Sequence, residues 1–229
     1  MTLGVGLLLA GMLDRDGHKI VMTRVTDAYV PLSERIAVFE RSKPDCIISI
    51  HANASGDKST PRGQLGHGHE TWYQQGDLSS ETFANEVNDA IARWFGPADL
   101  TNRGIKAGSP ATRTNWYTFQ AGQPADILVE LGFVTSPSDV QLLGSDKWAS
   151  WAYALNEGIA GYFMQVGRPS PVFRPAGSLH ELKGLFEWAW QGIFEKVTND
   201  PAFPQLASET RGFIEYSRRV VERARGNTP

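Results

Sequence analysis

Cysteine is nearly missing from this chain: Cys46 is the single one in 229 residues. No internal disulfide can form, and cysteine-rich metal knuckles are excluded. Long apolar runs are missing too, since none approaches the roughly 20 residues that a membrane-spanning helix needs. Neither sign of charge dominates. A formal net charge of -3 gives no bulk electrostatic case for nucleic acid or an anionic membrane. Internal repeats and low-complexity tracts are absent. What remains is the 41% hydrophobic and 21% charged balance of a globular domain. The length suffices for one α/β core with an appendage. Cys46 opens an apolar run, a position that favours a small core residue over a nucleophile.

The first thirteen residues, "MTLGVGLLLAGML", are apolar enough for a signal peptide. They lack a basic lead and are followed by "DRDGHK" instead of a small-residue cleavage site. Leu3, Leu7, Met12 and Leu13 fit one helical face, so a core helix is predicted. "KIVMTR" (19–24) reads as a strand, "PLSERIAVFERSK" (31–43) as a helix and "DCIISI" (45–50) as a strand. "HETWYQQ" is a further strand. "SSETFANEVNDAIARWFG" is an amphipathic helix with Phe83, Val87, Ile91 and Phe95 on one face. "NWYTFQ" (115–120) and "ADILVELGF" (125–133) read as strands. Ser136-Pro137-Ser138-Asp139 starts a helix, with serine at the cap and an acid three residues later. A last core helix spans about 147–166. The alternation predicts an α/β fold, a three-layer sandwich with a mostly parallel mixed sheet flanked by helices. Residues 1–166 form this domain, the Pro/Gly-rich stretch 167–177 a linker, and 178–229 a small C-terminal helical extension.

Two strands end on chemically useful residues. "DCIISI" runs into His51, and "DILV" runs into Glu130. In open α/β sheets ligands bind beyond the carboxyl ends of strands. Imidazole is a common metal ligand. A carboxylate after buried residues calls for a partner. Together they suit a metal-activated water with a carboxylate to carry its proton. A capping histidine and a glutamate in a salt bridge are the plain alternatives. His67 and His69 are spaced His-x-His, which in a strand puts both on one side. His18 and His180 sit away from the expected crevice.

The segments "KIVMTRVTDAYVPLSERIAVFERSKPDCIISIHANAS", "HGHETWY", "NRGIK" and "ILVELGFVTSPSDVQLL" resemble the zinc-dependent N-acetylmuramoyl-L-alanine amidases of the Amidase_3 class. The similarity runs over roughly residues 3–165. It implies a Zn2+ hydrolase that cuts the amide between the muramic acid lactyl group and L-alanine in peptidoglycan or muropeptides. It implies that His51 is a zinc ligand and Glu130 the catalytic residue, with Arg103 of "NRG" either shaping a loop or touching substrate. In the family a further histidine and a glutamate, both ahead of the first helix, complete the zinc site. Here Met1 falls at that helix, so the expectation is an incomplete ligand set and a missing first strand, carried by sequence upstream of Met1. The alternative expectation is an inactive amidase-fold module that binds cell-wall fragments or a protein partner.

Overall fold

The structure, a computed structural model, describes residues 1–56, 59–61, 65–108 and 124–168. Helix α1 (Thr2–Arg15) forms as expected and buries Met12 and Leu13, but its inner face is completed by Val5, Leu8 and Leu9, while Leu3 and Leu7 of the expected face are only partly buried. Helix α2 (Leu32–Ser42) follows, with Pro31 at its N-cap. Strands β1 (Cys46–Asn53) and β2 (His69–Gln74) precede the long helix α3 (Leu78–Asp99). Asp77 caps α3 by accepting from the Ser79 and Ser80 amides. Gly96, at φ 69°, and Pro97 bend its end. Strands β3 (Asn102–Gly108) and β4 (Ala125–Phe133), helix α4 (Pro137–Leu142) and helix α5 (Trp148–Gln165) complete the described order.

The sheet order is β1-β4-β2-β3. β1 runs parallel to β4, β2 parallel to β3, and β2 antiparallel to β4. This is the predicted mixed, mostly parallel sheet, with helices on both sides. All nine residues of β4 are buried. Its odd-numbered residues Ile127, Val129 and Leu131 join the core with α1, α3 and α5. Strand alternation therefore turns Leu128 and Glu130 to the opposite face. Each fully buried aliphatic side chain contributes about 1.5–3 kcal/mol. Helices α3 and α5 pack so closely that a Cβ on Gly158 would lie 2.5 Å from the Val87 Cα, so the contact requires glycine. No helix among the described residues is long and apolar enough to cross a membrane.

Several expectations change. Residues 19–24 form no strand. A strand exists only with a ladder partner. These residues instead line a groove of about 600 Å³ whose opposite wall includes β1. Among the described residues β1 ends the sheet, and Ile47 is its single buried residue. "NRGIK", not read as a strand, is part of β3. The predicted strand 115–120, the helical extension 178–229 and all but the first two residues of the linker lie outside the described residues.

Candidate active site

His51 and Glu130 do not sit at strand tips. β1 continues two residues past His51, and β4 three past Glu130. They are register partners across the parallel pair. Glu130 is in turn the register partner of Glu70 on β2. A row of three ionisable side chains, His51–Glu130–Glu70, thus crosses one face of the sheet, with strands ~4.8 Å apart. The ladder shifts register just beyond His51, between it and Asn53.

Glu70 is the most heavily bonded member, with its side chain 4% exposed. Its Oε2 accepts from Arg103 Nε at 2.6 Å and Lys106 Nζ at 2.7 Å. Its Oε1 accepts from Trp72 Nε1 at 2.9 Å and Asn53 Nδ2 at 3.2 Å. Burial alone would raise this carboxyl. The hydrogen bonds from Arg103, Lys106 and Trp72, with the Lys106 charge, outweigh burial and hold it below the usual carboxylate range. Arg103 lies over the Phe133 ring and Lys106 over Trp72, at 5.0 and 5.6 Å from the centroids.

Glu130 is the opposite case. Burial first, and then the Glu70 charge beside it, push its carboxyl up to about 7. Its Oε2 has no hydrogen-bond partner among the described residues. His51 is half-buried. Burial lowers its basicity, and the Arg35 charge from α2 adds to that, so the imidazole is neutral near pH 7. Two carboxyls on neighbouring strands are thereby driven apart, one firmly ionised and one poised near neutrality.

The other candidates fall away. His67 precedes β2 and is exposed. His69 is wholly buried on the core side of β2, opposite Glu70, and burial takes its pKa down to about 4 despite the Glu70 charge. The His-x-His pair therefore does not converge on His51. His18 stacks on Phe163, and His180 lies outside the described residues. Burial pushes the Cys46 thiol up to about 12, which makes it no nucleophile. Sequence reasoning missed Glu70 and Lys106. The available signal was a carboxylate alternating with Trp72 in a strand whose partners are polar and basic. Arg103 makes an ion pair with Glu70 from within strand β3, not from a loop.

An imidazole of lowered basicity beside a carboxyl near neutrality, on one face of a mixed sheet, is an arrangement suited to acid–base chemistry in an enzyme. The particular family follows from comparison. The chain belongs to the N-acetylmuramoyl-L-alanine amidase family, whose profile matches residues 1–161. It is 29% identical over 166 residues to YqiI of Bacillus subtilis, covering 72% of this chain and 74% of that protein. It is 29% identical over 155 residues to the N-acetylmuramoyl-L-alanine amidase LytC of Bacillus subtilis, covering 66% of this chain but 28% of LytC. The fold matches the amidase AmiC2 of Nostoc punctiforme with a TM-score of 0.60 at 27% identity, over 71% of this chain and 82% of AmiC2.

Proposed function

We propose that the chain hydrolyses the amide between the muramic acid lactyl group and L-alanine in peptidoglycan, with Glu130 as its proton carrier. The observation that carries this is Glu130 itself, half of a cross-strand pair with His51 and holding an unpartnered oxygen. Its ionised form takes a proton from the water that adds to the carbonyl carbon. Its acid form returns that proton to the departing nitrogen as the C–N bond breaks. The products are the lactyl carboxylic acid and the free amine of L-alanine. A group that titrates near 7 has both forms available at neutral pH.

A family zinc would take His51 as a ligand, and when bound it supplies a more acidic water. Catalytic zinc needs about three protein ligands. Among the described residues no three His, Cys, Asp or Glu side chains lie close enough to hold a metal. Two donors, His51 and Glu130, do not make the centre, and none of the steps above passes through it.

Glu130→Gln tests the assignment. The variant is expected to fold normally and lose muropeptide hydrolysis by roughly 10²-fold or more, read as release of the L-alanine amine. Turnover within a few-fold of the parent removes Glu130 from the chemistry.

A further inference from the structure

We infer that Arg103 and Lys106, clamped by Glu70, form a receptor for a free carboxylate on the peptide side of the scissile amide. The inference rests on the amidase reading above and names a subsite for it.

The charge count comes first. One carboxylate, Glu70, meets two cations, so the cluster holds one positive charge in excess. Among the described residues the ion pairs of both cations go to Glu70, and none is made to Glu130, the next acidic group along the row. The cations are not loose surface residues. Arg103 is fixed through Nε alone, and among the described residues no hydrogen bond engages its Nη atoms. Phe133 holds the guanidinium plane from one side. Lys106 is fixed between Glu70 and the Trp72 ring. Their side chains are 34% and 31% exposed, enough for a ligand to reach. Rigid, partly desolvated donors lose little entropy on binding, and the forked Nη groups of a guanidinium suit a carboxylate.

The position then selects the ligand. Glu70 and Glu130 are register partners, so the cations lie one to two strands beyond Glu130, on the order of 5–10 Å away. The N-acetylated sugars are neutral, and the lactyl carboxyl is consumed in the scissile amide. The anions nearest that bond are therefore carboxylates of the stem peptide, one or two residues past L-alanine. Glu70 acts as a positioning residue, holding both cations without touching substrate.

The experiment has a binding arm and a cleavage arm. In the first, the dipeptide L-alanyl-D-glutamate and its α-carboxamide are titrated into the full chain by calorimetry. In the second, muramoyl dipeptides with and without that amidation are offered as substrates. The carboxylate form is expected to bind roughly 10-fold tighter or more, the scale of a charged hydrogen bond. Arg103→Gln and Lys106→Met should each shrink that preference toward unity, while Arg103→Lys restores part of it. Unchanged folding of the Lys106→Met variant, checked by circular dichroism, separates loss of binding from loss of structure. Equal binding of the two dipeptides by the parent overturns the subsite. So does an undiminished preference in both charge-removing variants. Selective binding with no cleavage of either muropeptide leaves the subsite standing and overturns the amidase reading. Cleavage without preference does the reverse.

Discussion

Two buried groups should oppose one another as pH falls, and their opposition can be exposed by removing them singly. His69 is held near a pKa of 4 in the fold against an ordinary 6.5. Below pH 6.5 the unfolded chain binds a proton that the folded chain refuses, so His69 destabilises the fold as pH drops toward 4. Glu130 is held near 7 against an ordinary 4.5. Below pH 7 the folded chain keeps a proton that the unfolded chain releases, so Glu130 stabilises the fold as pH drops toward 4.5. A proton bound in one state and not the other, at about 1.4 kcal/mol per pH unit, gives each group about 3 kcal/mol across its window. The two windows overlap and the signs differ, so between pH 7 and 4.5 the pair nearly cancels in the parent. His69→Leu should then gain stability on acidification relative to the parent, and Glu130→Gln should lose it. The assay is urea unfolding at pH 7.0, 6.0 and 5.0 in chelator, followed by tryptophan fluorescence. Parallel pH profiles for the parent and both variants would refute the reasoning, because they would mean that neither group has a shifted proton affinity in the fold.

Other outcomes follow from single contacts. Asp139 is buried and its Oδ2 accepts from the Gly68 and Phe133 amides at 2.8 and 2.9 Å. Asp139→Ala should cost roughly 2–5 kcal/mol by leaving both donors unpaired, measured by denaturant midpoint. Gly158→Val should be destabilised by more than about 2 kcal/mol, since its side chain would meet the Val87 backbone; a melting temperature equal to the parent's contradicts the close approach. Glu70→Gln should leave Arg103 and Lys106 poorly placed and lower the apparent pKa of Glu130 by removing its neighbouring charge, visible as an acid shift in a carboxyl NMR titration. A chain stopped after Arg168 should unfold cooperatively at the parent's midpoint; aggregation of that chain would place residues beyond 168 in the core.

The elements with strong periodicity were legible. Helices α1, α3 and α5 emerged from apolar residues at helical spacing, and β4 from an unbroken apolar run. The Ser136 cap was equally visible, and Ser136 Oγ does accept from the Asp139 amide. What failed was whatever depends on pairing between distant segments. Residues 19–24 have strand-like composition, yet composition cannot supply a hydrogen-bonding neighbour. β3 carries Arg103, Gly104 and Lys106, so it shows no apolar alternation and was passed over. His51 and Glu130 were singled out as candidates, but their adjacency is a matter of register between two strands far apart in sequence. Glu70 shows why a single residue can stay hidden: its importance lies in four hydrogen bonds from Asn53, Trp72, Arg103 and Lys106.

Strand β4 holds the sheet together, since it pairs in parallel on one side and antiparallel on the other. It is also the strand that bears Glu130. Every one of its positions is buried, so substitutions there are felt by the whole core before they are felt by the chemistry. Evolution, and equally a protein engineer, has little room to adjust Glu130 from within its own strand. Change in what such an enzyme accepts must come from the flanks: from β3, whose cations are partly exposed, and from β1, the end strand of the sheet among the described residues. A library confined to residues 102–108 and 46–53 should therefore yield altered preferences with intact folding, whereas one spread over 125–133 should yield mostly unfolded chains.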